Sequence, residues 1–230
     1  MTTVVDQRAP LPADWSVYIP TKPLTWLAKY GMTGDDVRKN GFVWSESEEL
    51  LVMPVVKDGT ITGWQGRNFK TKVVDTHNTT EHGKQVYSGQ KQVTDGPKYI
   101  TKGRVTDNLY IIYPTTGQYW NNVDDHRHTL IITEGILDAI KVGKVCNAAP
   151  LCGSHMALGL ITEAATRFKR LGIWLDPDKR VASVKTALRA SQFMPSFVVT
   201  SERDPKEYGV NEIYEFIHEA GSGVIPKEGT

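Results

Sequence analysis

The chain has 230 residues, of which 40% are hydrophobic and 23% charged, and its formal net charge is +1. This is ordinary globular composition, with enough material for one large domain or two small ones. No apolar run reaches the length of a membrane span, the N-terminus lacks a secretory signal pattern, and two cysteines, Cys146 and Cys152, are too few for a Cys-rich zinc ribbon. Reduced thiols, a cytoplasmic location and no membrane partner are therefore expected.

The charge is unevenly spread. From Lys57 to Arg104 there are nine Lys/Arg and four Asp/Glu, whereas from Leu130 to Thr230 there are twelve of each. A basic segment beside a balanced one suits a protein that grips a polyanion with one part and does something else with the other; the plainer reading is a solvated, basic sheet edge.

In chain order, residues 1–23 carry four prolines and no period, and read as an extended lead-in. "PLTWLAKYGMTGDDVRKNG" predicts a short helix, a turn and a second short helix. "ELLVMPVV" and "TITGWQGRNF" flank Lys57-Asp58-Gly59 and predict a hairpin. Residues 70–97 are polar and predict a long loop or flap, and "LYIIY" (109–113) a strand. From residue 129 strand and helix alternate four times: "LIIT" and "EGILDAIKVGK"; "VCNAAP" and "MALGLITEAATRFKR"; "LGIWL" and "KRVASVKTALRASQ"; "SFVVT" and "KEYGVNEIYEFIHEA". Such alternation predicts a parallel sheet with helices on its faces, and so an α/β fold behind an α+β N-terminal part. The expected divisions are an extended segment 1–23, a basic subdomain 24–128, a parallel-sheet domain 129–220 and a tail 221–230.

In such sheets the functional crevice lies outside the carboxyl ends of the strands. Glu134 follows the first strand of this half, Asp176 and Asp178 follow the third, and Asp204 comes shortly after the fourth. Period-two alternation is expected to point Asp176 and Asp178 the same way, with Pro177 ending the ladder. Clustered carboxylates need a divalent cation or a raised pKa, and an all-oxygen set suits Mg²⁺ or Mn²⁺ rather than zinc. Taken singly, Asp178 and Asp204 also suit helix caps.

These residues carry a resemblance. "TEGILDAI", "WLDPDK" and "RDPKE", in this order, resemble the Toprim domain shared by bacterial-type primases, topoisomerases, recombination-mediator proteins and some nucleases. "MPVVKDGTITGWQGRNF" followed by "GPKYITKG" resembles the N-terminal subdomain of the RNA-polymerase domain of DnaG-type primases, with Gly66-Arg67 and Pro97-Lys98-Tyr99 at the matching places. "LPADWSVYIPTKPLTWLAKYGMT" is similar to the corresponding stretch of bacteriophage primases, so the likeness runs over residues 11–220. It departs in lacking the usual zinc-binding module and in the turn "KRVAS" after Asp178.

The resemblance implies a DNA-directed RNA polymerase of primase type, a nucleotidyltransferase that makes short RNA primers on single-stranded DNA from ribonucleoside triphosphates. It implies a two-ion Mg²⁺ or Mn²⁺ site held by Asp176 and Asp178, with Glu134 as ligand or proton acceptor and Asp204 as a weaker ligand. Asp138, one helical turn beyond Glu134, would support that site from behind. Arg67, Lys98 and Lys102 would hold template or triphosphate, or merely solvate the surface. A replicative helicase or a separate zinc-module protein is the implied protein partner, and for a phage-encoded chain the location is the host cytoplasm. The rival readings are a Toprim metal-dependent nuclease and a non-catalytic binding module of a replication complex. "DDHRH" (124–128) reads as a metal cluster or a solvated loop. "CGSH" (152–155) reads as a nucleophile or as a turn with Ser154 capping the next helix. Trp64, Tyr99 and Trp120 read as base-stacking or core aromatics.

Overall fold

The computed structural model describes residues 4–5, 9–79, 85–103, 105, 109–114, 127–153 and 155–222, with side chains left aside over 4–5 and 75–89. Trp120, Ser154, residues 124–126 of "DDHRH" and the last eight residues lie outside this set.

The N-terminal sheet is built on one hairpin. Strands β4 (Leu50–Lys57) and β5 (Thr60–Asn68) pair antiparallel around Asp58 and Gly59. Both turn residues sit in the left-handed region, at φ 49° and 77°, which is why Asp-Gly serves here. β1 (Val4–Val5), β2 (Trp15–Ser16), β3 (Val43–Ser45) and β8 (Tyr99–Gly103) extend the sheet in the order β1-β5-β4-β3-β2, with β8 also on β5. Every residue from Leu50 to Val55 is buried because the strand is covered on both faces. Leu51, Met53 and Val55 pack against Leu27 of α1 (Thr21–Ala28) and Val37 of α2 (Gly34–Lys39). Leu50 and Val52 pack the other way, against Val43 and Trp64.

Two expectations are corrected here. Residues 70–97 are not a structureless flap: β6 (Thr71–Thr79) and β7 (Gln85–Thr94) form a two-stranded antiparallel ribbon. Its strands mix Thr, Val and Gln with the apolar residues in no regular alternation, so no strand period marked them. The stretch 109–113 contributes only a single antiparallel bridge, Ile112 to Ala148, rather than a strand.

The C-terminal half is a four-stranded sheet, β9 (Thr129–Thr133), β10 (Asn147–Pro150), β11 (Arg170–Trp174) and β12 (Ser196–Val198), parallel throughout and ordered β10-β9-β11-β12. Alternation sorts its side chains. Leu130, Ile132, Leu171 and Ile173 face α4 (Leu158–Arg167) and α5 (Arg180–Ala190). Ile131, Trp174 and Phe197 face α3 (Ile136–Val142) and α6 (Val210–Ser222).

All seven residues of α3 are buried because the helix is shared. Ala139 and Val142 pack on the parallel sheet, while Ile136, Leu137 and Ile140 join the core under β4. Two lysines near its end tie the halves together: Lys141 Nζ donates to the Tyr30 carbonyl at 2.7 Å, and Lys144 Nζ meets Asp36 at 2.8 Å. Among the described residues no helix is long and apolar enough to cross a membrane.

Candidate functional site

The chain runs from β9 through α3 to β10 on one side, then crosses back to β11 on the other, so the strand order reverses between β9 and β11. The carboxyl ends of strands flanking such a reversal leave an open crevice. Register pairs Thr133 with Trp174, so Glu134 and Asp176, which follow these strands, come out at its mouth. The exit of β9 is held by the neighbouring strand's exit: Cys152 N–H donates to the Glu134 carbonyl at 2.8 Å, and Leu151 N–H to that of Thr133 at 2.9 Å.

A cleft of about 240 Å³ opens there, under Gln65 of β5 and Tyr99 and Thr101 of β8. Its floor is Glu134, Gly135, Asp138, Cys152, Asp176 and Lys206. Glu134 Oε2 and Asp176 Oδ1 are both buried without a hydrogen-bond partner. Burial pushes the Asp176 carboxyl up to about 7, reinforced by repulsion from Asp138, Asp204 and Glu134 and partly offset by Lys206. Glu134 is raised for the same first reason, burial; the Lys179 ammonium opposes the rise, and Asp178, Asp138 and Asp204 add to it.

Asp178 stands apart. Pro177–Lys179 is a 3-10 turn, so strand alternation has already ended, and the Asp178 side chain is 71% exposed and pairs with Lys179 at 3.0 Å. The expectation that Asp176 and Asp178 point the same way by alternation is corrected accordingly. Capping does not explain these acids either. α5 is entered at Lys179, and neither Asp176 nor Asp204 makes a side-chain capping bond; α6 is headed by Glu212, which accepts from Gly209 N–H at 2.7 Å.

The structure brings Asp138 and Asp204 together through a lysine that the sequence did not single out. Asp138, 3% exposed, accepts from the Lys206 backbone N–H at 3.0 Å and from its Nζ at 3.2 Å, and that Nζ reaches Asp204 at 2.5 Å. Burial raises the Asp138 pKa against the pull of Lys206. Nothing local in "RDPKEYG" announces that its lysine turns inward.

A second, basic group sits on the hairpin side. The Arg67 guanidinium lies over Tyr99 at 5.0 Å, Trp26 at 5.1 Å and Phe69 at 5.9 Å, and its Nε and Nη1 are buried without partners. Lys98 Nζ lies 5.9 Å from the Tyr99 ring, and Lys98 and Lys102 are exposed. Tyr99 links the two groups. Burial raises its phenol although the residue is 37% exposed, and the phenol feels Arg67 and Lys206 on one hand and Asp138 on the other. Trp64 is a core residue, 5% exposed and donating to the Pro10 carbonyl at 3.1 Å. Cys152 lines the cleft, but burial pushes its thiol up to about 12, which leaves it a poor nucleophile.

Among the described residues no three His, Cys, Asp or Glu side chains are drawn together as a ready metal-ligand set. The donor chemistry nonetheless fits a divalent ion. Two buried carboxylate oxygens without partners converge on one crevice, and an oxygen-seeking cation would relieve both their desolvation and their repulsion.

No family model matches the chain, and no curated protein matches it by sequence. Solved structures do match. The Aquifex aeolicus primase (zinc-binding and RNA polymerase domains) aligns with TM-score 0.61 at 17% identity, over 90% of this chain and 57% of that one. A DnaG catalytic core aligns with TM-score 0.57 at 14% identity, over 87% of this chain and 73% of that one. The chain has the fold of a DnaG primase catalytic core. A third primase of this fold, a DnaG catalytic domain solved bound to ssDNA, aligns with TM-score 0.53 at 14% identity, over 87% of this chain and 74% of that one. The chain thus spans a little over half the length of the Aquifex primase it matches. The primase fold accounts for both halves at once, the β-rich part and the parallel sheet, and the acid cleft is lined by residues of both.

Proposed function

We propose that this chain is the catalytic, RNA-polymerase part of a DNA primase, with a Toprim-type acid site, which copies single-stranded DNA into short RNA primers from ribonucleoside triphosphates. The observation that carries this reading is the pair of unpartnered, buried carboxylate oxygens of Glu134 and Asp176 at the strand-order reversal of a primase fold.

Glu134 and Asp176, with Asp178 swinging in from the surface, would hold Mg²⁺ or Mn²⁺. When bound, such an ion activates the attacking 3′-hydroxyl and neutralises charge on the triphosphate. Glu134 serves either as a ligand or as acceptor of the 3′-hydroxyl proton at Oε2. Its raised pKa suits the second role, because a base poised nearer neutrality accepts and releases a proton more readily. The Arg67 guanidinium has two donors without protein partners and would supply charge and hydrogen bonds to a phosphate, and its seat among three rings restrains it. Lys98 and Lys102, exposed on and beside β8, attract the backbone of the template as mobile point charges. Tyr99, partly exposed at the cleft rim, is positioned to pack a base or ribose.

Incubation with single-stranded DNA, the four ribonucleoside triphosphates and Mg²⁺ or Mn²⁺ tests the proposal. It expects short RNA products with the wild type and none with Asp176→Asn. Cleavage of labelled DNA without synthesis would assign the same acids to a nuclease instead.

A further inference from the structure

The likeness to primases implies two divalent ions, yet one part of this acid cluster already has a cation. Lys206 Nζ sits 2.5 Å from Asp204 and 3.2 and 3.5 Å from the two oxygens of Asp138. The side chain is only 10% exposed. It is held inward on three counts. Its own backbone N–H donates to Asp138, the 3-10 turn Pro205–Glu207 fixes its direction, and its ammonium lies 5.8 Å from the centre of the Tyr30 ring. Its positive field reaches Asp176 and opposes the acids' mutual repulsion there.

A divalent ion bound between Asp138 and Asp204 would lie within a few ångströms of this ammonium, and two desolvated cations repel strongly at that range. Both carboxylates are already charge-paired and hydrogen-bonded, so they have little to gain from a metal. Glu134 Oε2 and Asp176 Oδ1, by contrast, have no partner.

Resting on the metal site proposed above, we propose that the Lys206 ammonium is a built-in cation standing where a second divalent ion would otherwise sit, so that this site takes one Mg²⁺ or Mn²⁺ at Glu134 and Asp176. Asp138 and Asp204 are then positioning residues for the ammonium rather than metal ligands.

The test is to count Mn²⁺ on the purified chain at pH 8, without DNA or nucleotide, from the electron paramagnetic resonance signal of free Mn²⁺. The wild type is expected to bind one ion. Lys206→Gln, which keeps length but removes the charge, frees Asp138 and Asp204 and is expected to bind two; adding Asp204→Asn to it restores one. Two ions on the wild type, or one on Lys206→Gln, overturns the proposal. Should Lys206→Gln not fold, Asp204→Asn alone decides. If Asp204 belongs to the ammonium, affinity for the single Mn²⁺ stays within about threefold; if it is a ligand, affinity drops by more than about tenfold. A wild-type chain that binds no Mn²⁺ sinks the metal site itself and this proposal with it, whereas one ion on both wild type and Lys206→Gln sinks only the built-in cation.

Discussion

Replacing Asp176 by asparagine removes one carboxylate charge while keeping nearly the same shape, and the structure gives the size of the effect. Without metal the folded protein holds this carboxyl at about 7, against a usual value of 3.8, chiefly because of burial. The folded state therefore binds a proton that the unfolded state has lost between these two values. By linkage the group's contribution to stability falls as pH rises from about 4 to about 7, and is flat above. Taken whole, the shift corresponds to about 4 kcal/mol. The side chain is only half-buried, so solvent screening reduces this to about 1–2 kcal/mol. At pH 8 metal-free Asp176→Asn should accordingly melt about 2–8 °C above the wild type, and at pH 5 the two should differ little more than experimental scatter. Mg²⁺ or Mn²⁺ should raise the wild-type melting temperature at pH 8 and leave the variant unmoved, because only the wild type gains a ligand for the ion. Primer synthesis by the variant should drop by about a hundredfold or more. Differential scanning fluorimetry at both pH values, with and without metal, beside a primer-synthesis assay, reads all of this. A variant that is destabilised equally at pH 5 and pH 8, or that keeps the metal response, would falsify the argument that an unneutralised charge sits in this crevice.

Asp178→Asn should also lower primer synthesis strongly and weaken the Mn²⁺ response; wild-type synthesis by this variant would show that the exposed Asp178 carboxylate, which pairs with Lys179 at 3.0 Å, does not turn in to the cleft. Arg67→Ala and Lys98→Ala should each weaken binding to single-stranded DNA across sequences, and for a direct phosphate contact should lower the slope of log affinity on log salt by about 1. Wild-type binding that does not change between low and high salt in a fluorescence-anisotropy titration would count against the electrostatic grip. Gly172→Ala should destabilise the chain by about 1–3 kcal/mol, since a Cβ there would come within 2.5 Å of Ile131 Cδ1 and 2.8 Å of the Phe197 ring in the closed core of the parallel sheet; urea denaturation with an unchanged midpoint would show that this core is looser than described.

The chain order of the elements was legible in the sequence because each one's burial is written locally. The apolar runs Leu130–Ile132 in β9 and Leu171–Trp174 in β11 and the 3.6-residue periods of α4 and α6 require nothing from a distant partner. Lys57-Asp58-Gly59 likewise fixed the hairpin, since a two-residue turn of positive φ admits few other residues. Glu134 and Asp176 were readable as strand-end acids for the same reason. The ribbon of β6 and β7 was not, because the valines in its strands fall in no regular alternation with polar residues. Only the tertiary structure decided the strand order β10-β9-β11-β12, and that order alone makes Glu134 and Asp176 neighbours across a reversal. It also turned Asp178 out to Lys179 and Lys206 in to Asp138, 68 residues away in sequence. Local pattern says which side of an element is buried, whereas the identity of the charge it meets there depends on packing between segments far apart in the chain.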